Sequence, residues 1–290
     1  MKTWTRILAM IMILAVGAGA AGAEMIQIKG SDTLINMVQR IAEVYMEKNP
    51  GAMIAVTGGG SGTGIAALIN GKCDIANASR TMKPKETSRA VAAGVQPIRV
   101  VVAMDGLSVI VNDKNPIDKL TVPQLGKIFR GEVTNWSDLG GPDMPITLYG
   151  RQSNSGTFVF FMDQILKGDY SPKMNRMNGN AQIVAAVRSD PSSIGYVGVG
   201  YVKNAGGITV LKVARNADAE YASPLSTADV QSGAYPIARP LNQYLNGTPE
   251  GDVRKFIEFE LSPEGQKVVE EEGFFVLPEE YEAYNKKAGL

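Results

Sequence analysis

Short apolar runs alternate along the chain with longer segments whose apolar residues recur every three to four positions. A short apolar run is typical of a buried strand, and the longer period is typical of one face of a helix. The runs predict strands over residues 25–29, 54–57, 74–78, 98–103, 107–111, 146–149, 194–202 and 208–213. The periodic segments predict helices over residues 34–46, 65–70, 85–93, 125–129, 156–166, 181–187, 253–261 and 265–272. Strands and helices that alternate this regularly predict an α/β fold with largely parallel sheets.

Two of the predicted helices carry start signals in their own sequence. Thr121 and Gln124 have the spacing of a capping box, in which the side chain of each residue bonds the backbone N–H of the other. Ser262 is followed by Pro263, which supplies an N-cap and a proline in the first turn. We therefore expect helices to begin directly after Thr121 and Ser262.

The first 23 residues have the pattern of an export signal. Two basic residues precede an apolar run over residues 7–16, and residues 21–23 (Ala-Gly-Ala) form a small-residue cleavage site. The apolar run is short, because a helix that crosses a bilayer needs about 20 residues. No cysteine lies directly after the run, where a lipid would be attached. We therefore predict a signal peptide over residues 1–23 and a soluble mature protein, residues 24–290, in a bacterial periplasm.

Composition narrows the function more than the fold. The chain has 290 residues and is 44% hydrophobic, which is enough for the core of one large or two medium domains. Its 29 Lys and Arg residues balance 29 Asp and Glu residues, so no basic stripe is expected to bind nucleic acid or an anionic membrane. The chain has no histidine, which excludes Ser-His-Asp and Cys-His catalytic systems and nearly every zinc site. The single cysteine, Cys73, is predicted to be a small buried core residue.

At three places a predicted strand runs into small hydroxyl and glycine residues that open a helix. These junctions span residues 30–33, 60–64 and 153–157. A helix N-terminus presents unpaired backbone N–H groups and about half a positive charge, and hydroxyl side chains add further donors. One such junction is ordinary helix capping. Because junctions of this kind fall at the carboxyl ends of parallel strands, three of them together with Arg151 predict a shared site for a phosphate-sized oxyanion.

The same glycines do not fit the nucleotide-binding and hydrolase motifs. Residues 59–64 have the glycine interval of a P-loop, but an Ile-Ala pair follows where Lys and Ser or Thr are required. No start within residues 58–64 places glycine at all three positions of a dinucleotide fingerprint. A nucleophile elbow around Ser61 would need glycine at position 63, which is Thr63. The pattern therefore favours binding over catalysis, with no cofactor and no metal.

Six motifs, spread over essentially the whole mature chain, resemble those of phosphate-binding proteins of the PstS type. They are residues 28–34 (IKGSDTL), 58–62 (GGGSG), 74–80 (DIANASR), 128–136 (IFRGEVTNW), 151–157 (RQSNSGT) and 261–266 (LSPEGQ). The resemblance implies a type II periplasmic binding protein fold, in which two α/β lobes joined by two crossover segments close on inorganic phosphate. In this layout lobe 1 holds both ends of the mature chain and lobe 2 the middle. With the crossovers expected within residues 104–107 and 234–239, lobe 1 spans residues 24–105 and 236–290 and lobe 2 spans residues 106–235. It also implies a monomer that serves the membrane permease subunits of a phosphate ABC importer.

The resemblance also implies which residues bind phosphate. Matched motif by motif, these are Ser31, Asp32 and Thr33, then Ser61 and Gly62, a buried Asp74, and finally Arg151, Ser155, Gly156 and Thr157. Arg151 offers a planar fork of charge-assisted donors. Asp74 would accept the proton that phosphate carries near neutral pH and would repel sulfate, which has none. The alternative for Asp74 is a structural ion pair with Arg80.

Asp32 departs from family members that have a small hydroxyl residue at this position. Its carboxylate either caps the first helix, which leaves only the backbone N–H for the ligand, or accepts a second proton from phosphate.

The resulting hypothesis is high-affinity binding of inorganic phosphate in the periplasm and delivery to an ABC-type importer. Three other functions stay open: a receptor for another tetrahedral oxyanion, such as arsenate or a phosphonate, a secreted phosphatase, and a phosphate sensor or surface-interaction protein. The missing histidine disfavours the phosphatase, because no imidazole is present to activate a nucleophile.

Overall fold

A computed structural model describes residues 25–290, and the predicted signal peptide lies outside the described residues. The strands are β1 (Ile26–Gly30), β2 (Ile54–Thr57), β3 (Ile75–Ala78), β4 (Pro97–Gly106), β5 (Ser108–Asn112), β6 (Lys119–Thr121), β7 (Thr147–Arg151), β8 (Asn175–Met177), β9 (Ser193–Val197), β10 (Ile208–Val210), β11 (Lys212–Ala214) and β12 (Ala238–Asn246). The α-helices are α1 (Ile35–Lys48), α2 (Ser61–Ile69), α3 (Pro84–Ala92), α4 (Val122–Arg130), α5 (Gly156–Phe161), α6 (Asn180–Ser189), α7 (Thr227–Gln231), α8 (Gly251–Leu261), α9 (Pro263–Glu271) and α10 (Glu279–Lys287). Among these helices, none has the length and apolar character needed to cross a membrane.

Within residues 25–290 the strands form two five-stranded sheets and one two-stranded pair. The first sheet has the order β2-β1-β3-β12-β4, and the second has the order β10-β5-β9-β7-β8. The predicted α/β class is confirmed, but the prediction of largely parallel sheets is wrong. In each large sheet two pairings are parallel and two are antiparallel. In the first sheet the reason is topological: the chain leaves along β4 and returns beside it along β12, so the two strands run in opposite directions.

The chain passes between the sheets twice. It leaves the first sheet at Leu107, between β4 and β5, and it returns through residues 232–237 ahead of β12. The two passages lie side by side, and the Leu107 N–H donates to the Ile237 carbonyl at 3.2 Å. The predicted lobe limits, 105/106 and 235/236, lie beside these passages and stay a prediction. Below, lobe 1 denotes the first sheet with α1–α3 and α8–α10, and lobe 2 denotes the second sheet with α4–α7.

Local start signals act as the sequence predicts. Thr121 caps α4: the Gln124 N–H donates to the Thr121 hydroxyl at 3.3 Å, and the Thr121 N–H donates to the Gln124 side chain at 2.8 Å. Ser262 caps α9 by accepting the Gly265 N–H at 3.2 Å. Cys73 is buried in a small apolar cluster of lobe 1, which confirms its predicted place, and this burial raises the pKa of its thiol to about 11.

The largest differences from the predicted elements occur where one predicted element divides into two different elements of secondary structure. The predicted strand 208–213 divides into β10 and β11, because β10 pairs with β5 in the second sheet and β11 pairs with β6. The predicted strand 194–202 ends as a short 3-10 helix, and the end of the predicted helix 156–166 is π-helical. Five elements were not predicted: β6, β8, β12, α7 and α10.

Candidate functional site

Five hydroxyl side chains from both lobes form one buried cluster at the carboxyl ends of strands. This hydroxyl cluster consists of Ser31, Thr33, Ser61, Ser79 and Thr157. Ser31 and Thr33 follow β1, Ser61 opens α2, and Ser79 follows β3. Thr157 stands in the first turn of α5 in lobe 2. The three junctions that the sequence singles out therefore meet in one place.

The distances put Ser79 at the centre of the hydroxyl cluster. Its Oγ lies 3.0 Å from Ser31 Oγ, 3.3 Å from Ser61 Oγ and 3.3 Å from Thr157 Oγ1. Thr33 Oγ1 lies 2.9 Å from Thr157 Oγ1, which adds a second contact between the lobes. All five residues are buried. A compact group of hydroxyls from two lobes can surround a ligand with donors once the lobes separate to admit it.

Three of these hydroxyls accept a hydrogen bond from an N–H group of the protein. Ser31 Oγ accepts the Thr33 N–H at 3.3 Å, and Ser61 Oγ accepts the Ser79 N–H at 3.0 Å. Thr157 Oγ1 accepts from Nη2 of Arg239 at 3.0 Å. A hydroxyl that already accepts a bond has its proton left to donate. The cluster is therefore suited to an anion, which presents acceptors.

Glycines allow the two lobes to approach here. Gly60 precedes α2 with φ +105°, a conformation that favours glycine, and a Cβ there would lie 2.8 Å from the Asn154 carbonyl oxygen. A Cβ at Gly156 would overlap with Ser61 Oγ. The Gly62 N–H donates to the Asn154 carbonyl at 3.0 Å, so backbone groups of the lobes are already in contact. Any side chain at Gly156 would hold the lobes apart.

Arg151, the last residue of β7, is a buried cation of the site and is only 1% exposed. Its Nη2 donates to the Asn178 carbonyl at 2.9 Å, and its Nη1 lies 3.2 Å from Asp32 Oδ2. Within the described residues, Nε has no hydrogen-bond partner and Nη1 has the Asp32 contact without hydrogen-bond geometry. Burial lowers the pKa of the guanidinium and the Asp32 charge opposes this, but an arginine stays protonated. Buried donors without partners are groups that an anionic ligand would satisfy.

Asp32 does not cap the first helix, so that alternative is wrong. Ser31 fills the capping role, and the Asp32 carboxylate instead crosses to lobe 2. Its Oδ2 accepts from the Asn180 N–H at 2.8 Å and from Asn180 Nδ2 at 2.6 Å, at the start of α6. The helix N-terminus and Arg151 both favour a negative charge at this point. Asp32 therefore joins the lobes and occupies donors that a bound anion would also attract.

The prediction that Asp74 lies buried at the site is wrong. Asp74 is exposed and precedes β3, where its Oδ2 accepts the Gln27 N–H at 2.7 Å. Ser79 follows the same strand, so five residues at about 3.3 Å each place Asp74 about 16 Å from the hydroxyl cluster. The alternative ion pair with Arg80 is also wrong, because Arg80 forms a bidentate pair with Glu86 at 2.7 Å.

Two residues of the site were missed by sequence reasoning. Ser79 has a usable signal, because it is the first hydroxyl residue after the predicted strand 74–78. Arg239 has no such sequence signal, because its position follows from the pairing of β12 with β4.

Ser155 lies at the predicted junction and caps α5, where its Oγ accepts the Phe158 N–H at 3.4 Å. In residues 25–290 no three His, Cys, Asp or Glu side chains lie together as metal ligands.

Comparisons with known proteins agree with this architecture. A family profile described as a PBP superfamily domain matches residues 15–264. The phosphate-binding protein PstS of Pseudomonas aeruginosa is 33% identical over 267 residues, which cover 86% of this chain and 82% of that protein. The phosphate-binding protein PstS of Staphylococcus aureus is 29% identical, with 96% of this chain and 90% of that protein covered.

Solved structures give the same result. A Clostridium perfringens protein, solved with bound phosphate, superposes with a TM-score of 0.78 at 28% identity, over 88% of this chain and all of that one. An ABC-type phosphate transport receptor from Vibrio cholerae superposes with a TM-score of 0.70 at 27% identity, over 87% of this chain. The predicted type II periplasmic binding protein fold is confirmed. The chain belongs to the PBP superfamily and, within it, to the family of the phosphate-binding protein PstS.

Proposed function

We propose that this protein binds inorganic phosphate between its two lobes and delivers it to the permease of an ABC-type phosphate importer. Family membership supports the ligand and the partner. The observation that carries the proposal is the buried Arg151, whose Nε and Nη1 lack hydrogen-bond partners within the described residues, in a site where hydroxyls are held as donors. Buried charge-assisted bonds of this kind are strong and directional. The anion is thus held by one guanidinium, hydroxyls and helix N-termini rather than by several lysine side chains.

Both lobes contribute to the proposed phosphate site. Lobe 1 supplies the side chains of Ser31, Thr33, Ser61 and Ser79, and lobe 2 supplies Arg151 and Thr157. The backbone N–H of Gly156 lies at the start of α5, which faces the start of α2; the N–H groups of Gly62 and Ser155 already donate to the Asn154 and Gln152 carbonyls. Contacts between hydroxyls of opposite lobes, such as Thr33 with Thr157, are replaced by contacts with phosphate oxygens. Binding then favours a hinge closure about the two passages at Leu107 and residues 232–237.

Selectivity against sulfate is assigned to Asp32 in place of Asp74. Asp32 is a carboxylate beside Arg151, and its side chain is 21% exposed. A carboxylate there accepts the proton of phosphate but repels sulfate, which carries none. Changing Asp32 to Asn should therefore narrow the difference in affinity between phosphate and sulfate. An unchanged ratio would rule out this role.

The proposal also includes a periplasmic location and binding without catalysis. Residues 1–23 are removed on export, and the mature chain acts in the periplasm as a monomeric binding protein. In the described residues, the hydroxyls of the cluster contact other hydroxyls and N–H groups rather than a carboxylate base. Intact mass of the protein released from the periplasm tests the cleavage, and a start at residue 24 is expected.

Calorimetric titration of the mature protein with phosphate and sulfate tests the function. We expect tight phosphate binding that is lost in Arg151→Ala, because one buried charge-assisted pair contributes about 3 kcal/mol or more. Arg254→Ala is the matched control, since Arg254 is partly exposed on α8 and pairs with Glu258. Binding that survives Arg151→Ala unchanged would refute the site.

Two further assays on the mature protein distinguish phosphate binding from the alternative functions. Competition by arsenate or a phosphonate at equal affinity would widen the ligand class to other tetrahedral oxyanions. Release of phosphate from an aryl phosphate, abolished by Ser61→Ala, would establish a phosphatase instead.

A further inference from the structure

A buried ion pair lies beside the two passages between the lobes. Asp105 on β4 and Arg239 on β12 face each other in the antiparallel register of these strands. Nε and Nη2 of Arg239 donate to Asp105 Oδ2 at 2.9 and 2.8 Å. Both residues are almost fully buried. A buried pair of this kind is costly unless its other donors and acceptors are also satisfied.

The remaining contacts of the pair reach the hydroxyl cluster and lobe 2. Nη1 of Arg239 donates to the Ser79 carbonyl at 2.9 Å, and Nη2 also donates to Thr157 Oγ1 at 3.0 Å. Asp105 Oδ1 accepts the Val199 N–H at 2.9 Å. Asp105 therefore holds the Arg239 guanidinium in one orientation, and that orientation places a donor on Thr157.

The contact between Arg239 Nη2 and Thr157 Oγ1 determines where the Thr157 hydroxyl donates its proton. A hydroxyl has one proton, and an Oγ1 that accepts from a guanidinium is directed to donate that proton elsewhere. The neighbours of Thr157 Oγ1 are Thr33 Oγ1 at 2.9 Å and Ser79 Oγ at 3.3 Å, both in the proposed phosphate site. The proton of Thr157 is thus directed into the cluster.

We propose that Asp105 and Arg239 are positioning residues for phosphate binding. Arg239 acts through Thr157, whose hydroxyl it orients as a donor to the bound anion, and Asp105 holds Arg239 in place. This inference rests on the proposed phosphate binding and adds a pair that does not itself need to touch the ligand.

A double-mutant cycle tests the inference by calorimetric titration with phosphate. The four proteins are the parent, Arg239→Lys, Thr157→Val and the double variant. Lysine keeps the charge but lacks the fork that serves Asp105, Ser79 and Thr157 together. We expect Arg239→Lys to weaken phosphate binding about tenfold in the parent, the size of one charge-assisted hydrogen bond, and less than about twofold when Thr157 is already Val. A residue with a merely structural role would cause the same loss in both backgrounds.

Arg99→Lys is the matched control, because Arg99 lies on β4, the strand that pairs with β12, and its guanidinium bonds Asn242 and stacks on Tyr284, away from the cluster. It should leave the phosphate dissociation constant unchanged. If Arg239→Lys does not fold, Asp105→Asn replaces it in the cycle with the same expected pattern. Equal losses in the two backgrounds, or no loss in either, would overturn the inference. A parent that does not bind phosphate would overturn the proposed function itself, and this outcome is visible before any variant is measured.

Discussion

Glu260 on α8 is a buried acid whose protonation should control the stability of lobe 1. It is 0% exposed, and its Oε1 accepts from Gln243 Nε2 at 3.3 Å. Within the part of the chain that the structure describes, Glu260 Oε2 and Gln243 Oε1 have no hydrogen-bond partner. Burial raises the pKa of Glu260 to about 8, although the Gln243 bond acts in the opposite direction. The folded protein therefore keeps a proton on Glu260 at neutral pH.

The sign of the pH dependence follows from this proton. Between about pH 4.5 and pH 8 the folded chain holds a proton that the unfolded chain has released, so stability falls as pH rises through this window. Above the folded pKa both states are ionised and the loss is complete. A pKa raised from 4.5 to about 8 corresponds to about 5 kcal/mol of unfolding free energy. Glu260→Gln removes this loss, and its amide can both accept from and donate to Gln243.

Urea unfolding followed by circular dichroism near pH 5, 7 and 9 measures the effect. We expect the stability of Glu260→Gln relative to the parent to rise by about 4 kcal/mol between the lowest and the highest pH. Glu258→Gln is the control, because Glu258 is exposed on the same helix and pairs with Arg254; its effect should stay within about 0.5 kcal/mol. Parallel pH curves for the parent and Glu260→Gln would refute the reasoning.

Three further changes test the site and the fold. Gly156→Ala places a methyl group against Ser61 Oγ, so phosphate affinity in calorimetry should fall about tenfold or more, whereas Gly206→Ala, in open space, should not alter it. Asp74→Asn should leave the ratio of phosphate to sulfate affinity unchanged, and a loss of selectivity would return Asp74 to the site. Thr121→Ala removes the cap of α4 and should lower the urea unfolding free energy by about 1 kcal/mol; an unchanged value would show that the cap contributes nothing.

Sequence reasoning worked best where contacts are local. The capping box at Thr121 and the N-cap at Ser262 act within one helical turn, so their sequence spacing is enough to place them. β12 was missed because its polar residues Asn242 and Gln243 do not look like a core strand, although pairing with β3 and β4 buries them. α10 is largely charged, and its buried residue is Asn285, whose side chain bonds the backbone of β4 at Val101.

Strand direction explains the main error in the site. The predicted strand 74–78 already places Asp74 at the amino end and Ser79 just beyond the carboxyl end, where ligands bind in α/β sheets. The family resemblance nevertheless placed Asp74 among the phosphate-binding residues. Ser79 is instead the central hydroxyl of the cluster.

The sequence by itself determined the α/β class, most elements and the three hydroxyl-glycine junctions, because each depends on side-chain periodicity or on contacts within a few residues. Only the tertiary structure showed that Asp32 is the carboxylate beside Arg151 and that Arg239 is a second arginine at the site. Asp32 contacts Asn180 across 148 residues, and Arg239 contacts Asp105 across 134 residues. Such contacts depend on how the two sheets face each other and on which strands become neighbours, and no short-range pattern carries that information.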